Sequence, residues 1–390
     1  MKNQKTKLWL VLSLGLGLLF LTACGRRQAT VPQPNKELQS QKLDVSQAQQ
    51  QRLLAKQNLL ASFVKEKMVT NNGIYTAYSS TSAPDKQPLA QRAFLSESAG
   101  LWLQYLVGQG DKQQFASFYR ATKATLFQKK AGQFAYRYDP QKKAQAASNA
   151  GLDDLRIMRA LLLYDLKYHS TKYQQDLNEL AANYRKHLVK SQGQIVSFYD
   201  TKAKMSARVS PLAYYDFKTL RIVEGQTKKD RQIYRQQLKL VKNGYLGEAF
   251  PLYAAEYDGE QGRYSTKSLN TSEALEVLLH LADVHELRPA SLAWLKEQID
   301  NQSLKNSYTV SGRVADHNSS AGNYALAALI FAAQGDQRYY ERALQLVWQQ
   351  QVTAQNAELF GALSQPPHEV TYSFNNLLAL LATQRSTQEK

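Results

Sequence analysis

Apolar helical stretches recur along the chain at intervals of 50 to 60 residues, beginning near Ser96, Asp153, Pro211, Thr271, Gly322 and Tyr372. Runs such as Leu161-Leu162-Leu163, Leu278-Leu279, Tyr324 to Ala333 and Leu377 to Leu381 leave these helices little polar surface, as expected of buried helices. Between them fall more amphipathic, charge-rich stretches. These predict helices over Ser46–Met68, Lys112–Lys129, Lys172–Lys190, Lys228–Lys242, Ala290–Asp300 and Gln337–Gln350. Six buried helices alternating with six amphipathic ones predict an all-α (α/α)6 toroid, with the loops that lead into the inner helices lining a cleft at one end. A helical solenoid would have the same rhythm, but the repeats share no short consensus. Strand signal is sparse, apart from an extended stretch across the cleft within Tyr75 to Pro88.

The first 43 residues break this rhythm. Lys2, Lys5 and Lys7 precede an apolar stretch from Leu8 to Leu21 that is short for a membrane span. Leu21-Thr22-Ala23-Cys24-Gly25 follows, and it resembles a bacterial lipoprotein signal. That resemblance implies a signal peptide over 1–23, lipidation of Cys24, and a protein anchored on the extracellular face of the cell membrane. Residues 24–43, rich in Gln and with Pro32 and Pro34, are expected to form a flexible tether, leaving 44–390 as one domain. Cys24 is the only cysteine, so no intramolecular disulfide can form. The net charge of +17 favours anionic wall polymers or lipid head groups as neighbours. The basic residues are scattered over predicted helix surfaces without a recognised motif, so nucleic acid is not expected. The six histidines show no compact ligand spacing, and no catalytic metal or cofactor is expected. His280 and His285 are read as structural. The chain is expected to act as a monomer.

Candidate chemistry starts at Phe94-Leu95-Ser96-Glu97-Ser98-Ala99-Gly100. Ser96 is placed to cap the first inner helix, which puts Glu97 in its first turn beside the cleft. An acid there can simply stabilise the helix start. Its neighbours in the chain weigh the other way. Gly73-Ile74-Tyr75 and Leu95-Ser96-Glu97-Ser98-Ala99-Gly100, then Phe134-Ala135-Tyr136-Arg137-Tyr138-Asp139, then Gly151-Leu152-Asp153-Asp154-Leu155 occur in the order of three blocks of glycoside hydrolase family 8, which this chain resembles from about Gly73 to Leu381.

The resemblance implies an inverting, endo-acting glycoside hydrolase acting on a polysaccharide such as a bacterial exopolysaccharide or β-glucan, with Glu97 as general acid. Tyr136 and Tyr138 stand where the family has tryptophans; with Arg137, Tyr214 and Tyr253 they are expected to line the substrate cleft. Asp154 matches a family aspartate, which implies a catalytic part beside Glu97 in raising its pKa and holding the distorted sugar, while Leu152 replaces another, leaving Asp153 to contact sugar in its place. Capping of their own helix is the alternative role for both acids. For the general base, Asp258 in Tyr257-Asp258-Gly259 is preferred over Glu273, which follows a helix cap, and over Asp216 in Pro211-Leu212-Ala213-Tyr214-Tyr215-Asp216. The resemblance also implies polysaccharide synthase or export machinery as a partner. The blurred base motif and Leu152 also fit a catalytically inactive polysaccharide-binding lipoprotein. A lyase on uronic acid polymers is a third reading, suited to the basic charge.

Overall fold

The computed structural model describes residues 30–80, 92–367 and 369–387, so Cys24 and the signal segment lie outside the described residues. Within them the chain forms twelve α-helices: α1 (Gln47–Phe63), α2 (Ser96–Gln109), α3 (Lys112–Leu126), α4 (Gly151–Tyr168), α5 (Gln174–His187), α6 (Phe217–Val223), α7 (Lys228–Asn243), α8 (Thr271–Ala282), α9 (Pro289–Asp300), α10 (Ala321–Ala333), α11 (Gln337–Trp348) and α12 (Ser373–Thr387). The even-numbered helices are the inner ring and the odd-numbered ones the outer, giving the (α/α)6 barrel expected from the periodicity.

Sequence explains this alternation. The small and apolar residues of α10 are buried from Ala321 through Ala332, as only an all-round apolar helix allows. The outer α7 buries just Gln237 and Val241, and a capping box between Thr227 and Asp230 fixes its start. Asp111 and Asp336 each accept a bond from the backbone N–H three residues on, starting α3 and α11. Short antiparallel strands occupy the loops that lead into inner helices. Among them Ala77–Ser79 pairs with Val370–Tyr372, joining the loop before the first inner helix to that before the last and closing the ring. This is the described part of the extended stretch anticipated near Tyr75. No helix among the described residues is long and apolar enough to cross a membrane.

The tether is shorter than expected. Val31, Leu38 and Leu43 are buried. The Val31 N–H donates to Asn178, the Gln39 carbonyl accepts from Lys218, and the Leu43 N–H donates to the carbonyl of Arg385. Three apolar side chains spaced among prolines and glutamines suffice to lay residues 31–43 across the barrel end where the inner helices finish. The composition of the stretch concealed them.

Candidate active site

The opposite end of the barrel, where the inner helices begin, gathers four carboxyl groups around one guanidinium. Glu97 lies in the first turn of α2, Asp153 in the first turn of α4, and Glu273 and Glu276 in the first two turns of α8. Arg156, one turn into α4, reaches Asp153 at 2.9 Å and Glu97 at 3.5 Å, and it pairs with Glu276. Gly100 permits this arrangement. A Cβ at that position would meet Cβ of Arg156 at 2.7 Å, so only glycine lets α2 approach α4 closely enough to set Glu97 beside Arg156.

Ser96 does not cap its own helix. The cap position is Leu95, which offers no side-chain acceptor. Ser96 instead donates to Asp153 at 2.8 Å, and Asp153 also accepts from the backbone N–H of Glu97. Asp153 thus caps the neighbouring inner helix from across the interface and fixes the turn that carries Glu97. Asp154, one residue on, points elsewhere. Its two oxygens accept from the Phe134 N–H at 3.1 Å and from the Asn149 amide at 2.7 Å, securing the loop before α4. Burial pushes its carboxyl up to about 7, although both hydrogen bonds oppose this. The catalytic part expected of Asp154 is therefore replaced by a loop-holding one, and neither aspartate caps α4.

Electrostatics separate Glu97 from an ordinary helix-start acid. Its side chain keeps 29% exposure on the cleft side, but protein surrounds the rest. Burial raises its carboxyl to about 8; Arg156 opposes the shift, while Asp153, Glu276 and Glu273 add to it. Burial likewise raises Glu276 to about 7 against the pull of Arg156, and raises Asp153. Arg156 is held above its ordinary value: burial disfavours its charge, but Glu276, Glu97 and Asp153 outweigh that. One cation thus serves three buried carboxyl groups, and proton sharing within the group is the physical outcome. Glu273 stands at the open edge of the cluster with no ion pair among the described residues, and burial with the nearby Glu256 raises its carboxyl. Tyr214 is half-buried against the same group. Burial first, then Asp153, raises its hydroxyl.

The other expected residues divide. Tyr136 is 40% exposed and its carbonyl accepts from the Ser96 N–H, so it stands beside Glu97. Tyr138 stacks on Phe94 at 6.0 Å, and Arg137 pairs opposite Leu95 on the same small sheet. Tyr253 is 1% exposed and packs on Tyr245, so it belongs to the core and offers no sugar platform. Asp216 is buried, bonded to Thr219 and paired with Arg159 at 3.3 Å, which ties it to the barrel interior.

Asp258 closes a turn. Its Oδ1 accepts from the N–H groups of Glu260 and Gln261 at 2.9 and 3.0 Å. Asp139 does the same for Gln141 and Lys142, and Asp200 for Lys202 and Ala203. Each aspartate follows a tyrosine, and each is followed four residues on by a left-handed residue: Lys143, Lys204 or Gly262. Tyr138-Asp139, Tyr199-Asp200 and Tyr257-Asp258 are thus three copies of one hairpin. The preference for Asp258 as a base rested on its Tyr-Asp pair, and that pair is turn chemistry.

Sequence reasoning missed Arg156, Glu276 and Phe198. The first two carry a readable signal: Asp153, Arg156 and Arg159 on α4, and Glu273, Glu276, His280 and Asp283 on and just beyond α8, form polar stripes at helical spacing on otherwise apolar helices. These stripes face each other. Arg156 pairs with Glu276 and Arg159 with Asp283 across the barrel axis, between the second and fourth inner helices.

No family model matches the sequence. The chain is similar to a Bacillus subtilis protein named "Putative lipoprotein YdaJ", 24% identical over 312 residues that cover 77% of this chain and 81% of that protein. Among solved structures it is similar to one described as a novel alpha-amylase from Clostridium perfringens, with TM-score 0.76, 25% identity, and coverage of 85% of this chain and 97% of the other. An endoglucanase of Klebsiella pneumoniae, described as a family 8 glycosyl hydrolase, matches with TM-score 0.55 and 18% identity over 75% of this chain and 98% of that one. The chain has the (α/α)6 fold of glycoside hydrolase family 8.

Proposed function

We propose that the protein is an endo-acting glycoside hydrolase that cleaves a polysaccharide, with Glu97 as general acid. The observation that carries this reading is Glu97 itself, open to the cleft on one side and held protonated near neutrality by burial and by its carboxyl neighbours. Glycoside hydrolysis needs such an acid to protonate the leaving oxygen and a second carboxylate to serve the opposite face of the sugar. Glu273 takes that second role. It is the carboxylate at the open edge of the cluster, in the first turn of α8, and it acts electrostatically on both Glu97 and Tyr214. As a base it activates water, and the product has inverted anomeric configuration. Asp153 holds the first turn of α2 and so positions Glu97. Arg156 keeps Asp153 and Glu276 in place and limits how far the acid is raised. Polysaccharide hydrolases among the similar structures, an alpha-amylase and a family 8 endoglucanase, support the substrate class.

The sequence Leu21-Thr22-Ala23-Cys24-Gly25 and the lipoprotein name of the Bacillus relative support lipidation at Cys24 and a place on the outer face of the membrane, where exported polymer is the accessible substrate. The test is release of new reducing ends by purified protein from starch, cellulose, xylan and the exopolysaccharide of its own cell, with Glu97→Gln alongside. Activity on one polymer that the substitution abolishes is the expected result. Full activity in Glu97→Gln would sink the assignment, and tight binding without new ends on any polymer would make the protein a binding module. Proton NMR of the first-formed anomer tests inversion.

A further inference from the structure

The aromatic side chains left exposed at the cleft fall on two sides of Glu97. On one side Tyr136 adjoins Ser96, and Phe198, 39% exposed, follows Ser197, whose carbonyl accepts from the Gly151 N–H where α4 begins. On the other side Ser98 and Ser373 share a hydrogen bond of 2.7 Å, which sets Tyr372, 45% exposed, one residue from the far flank of the Glu97 turn. Beside Tyr372 a cavity of about 850 Å³ opens among the starts of α8, α10 and α12, a volume within the usual range for small-molecule sites.

The two sides differ in charge. The lining beside Tyr372 is made largely of amides and hydroxyls, including Asn270, Asn306, Asn318 and Asn375, and its only charged residues among those described are Asp316 and Glu369. Among the described residues neither acid makes a salt bridge, and no lysine or arginine enters the lining. The hairpins that rise from Tyr136 and Phe198 end instead in exposed Lys142, Lys143, Lys202 and Lys204, also without salt bridges among the described residues. Among the described residues, the cavity beside Tyr372 thus carries carboxylates while the hairpin tips on the other side of the cleft carry lysines.

We propose that this cavity is a sugar subsite that accepts residues without negative charge and rejects uronate or phosphate-bearing ones. This rests on the hydrolase reading for the course of the cleft. Tyr372 gives a sugar ring an apolar face to lie on, and the amides and hydroxyls exchange hydrogen bonds with its hydroxyl groups. An anionic residue would meet two carboxylates with no lysine or arginine among the described lining residues, so discrimination comes from a repulsive element as much as an attractive one.

The experiment is calorimetric titration of the Glu97→Gln protein, in which turnover is silenced, with maltohexaose, a glucosamine hexamer and hexagalacturonate. The first two are expected to bind at least about tenfold more tightly than the third at low salt. Tyr372→Ala is expected to weaken the first two by about tenfold, and Tyr372→Phe to restore them, with thermal melts checking that both variants fold. Asp316→Asn combined with Glu369→Gln is expected to narrow the gap to hexagalacturonate. Equal affinity for all three, binding of none, or indifference to Tyr372→Ala would overturn the proposal. Failure of the hydrolase reading looks different: no new reducing ends from the unsubstituted protein on any polymer, with the binding order intact.

Discussion

Two charge clusters share the inner helices α4 and α8 and differ in how their charges are answered. At the end where the helices begin, Arg156 alone faces Glu97, Asp153 and Glu276, and the carboxyl groups are raised. Deeper in the barrel Asp216, at the start of α6, and Asp283, just past the end of α8, face Arg159, Lys218 and Arg385. There burial would raise Asp283, but Arg159 and then Lys218 hold it at about 2; Asp216 is also lowered, by Arg159 ahead of His280. Burial lowers His280 to about 4 despite both aspartates, so it lies neutral between the clusters. A surplus of cations makes a fixed ionic strut. A surplus of carboxyl groups, open to a cleft, keeps a transferable proton. Stoichiometry of charge, together with the opening to the cleft, thus separates a structural cluster from one suited to acid chemistry.

That contrast can be broken by substitution. The largest expected effect is Glu97→Gln, which should lower turnover by about 10³-fold or more, as loss of a general acid does, with the melting temperature held or raised. A collapse in stability instead would place Glu97 with the struts. Next comes Asp283→Asn. It strands Lys218 and part of Arg159, and should cost about 3 kcal/mol in denaturant unfolding while leaving activity per folded molecule intact. Gly100→Ala forces Arg156 away from Glu97. It should cost about 1–3 kcal/mol by overpacking and reduce turnover as well, the one change expected to act on both readouts.

A subtler test uses pH. Glu97 is raised in the folded state, so its stabilising contribution is complete below the ordinary carboxyl range and is lost as pH rises through about 8; activity should fall over the same upper range. Asp283 is depressed, so its contribution is present above its ordinary value and is lost as pH falls through about 2. Melting curves of the unsubstituted protein and Glu97→Gln should therefore diverge between about pH 5 and 8, with the former declining. Parallel curves there would remove the claim that Glu97 is held protonated. The smallest effect is expected for Asp258→Ala, about 1 kcal/mol from a lost turn bond with activity retained; loss of activity would reinstate it as a base.

The barrel was legible because its signal is periodic. Inner helices predicted near Ser96, Asp153, Thr271 and Gly322 begin at Ser96, Gly151, Thr271 and Ala321, since apolar content alone separates inner from outer. Glu97 was readable for a local reason, an acid in the first turn of such a helix. The second carboxylate was not, because what assembles the cluster is contact between helices far apart in the chain. Tyr257-Asp258 resembles a site motif when taken alone, and its two sister hairpins identify it as turn chemistry. Asp154 drew the catalytic expectation because sequence order does not say which of two adjacent helix-start acids turns toward the cleft. Tyr253 lies in an aromatic loop, yet the aromatics there pack on one another instead of facing the cleft.

The short segment laid across the far end of the barrel bears on how the protein would stand on a cell. Six residues lie between Cys24 and Val31, so at most about 25 Å of fully extended chain separates them. With a lipid at Cys24 the domain would ride close to the bilayer, base down, with the mouth of the barrel turned outward like a cup on a short stem. Glycan strands passing outside would reach the carboxyl cluster without bending back toward the head groups, while a sugar still attached to its lipid carrier would not. Geometry alone would then restrict the proposed hydrolysis to polymer that has already left the membrane surface.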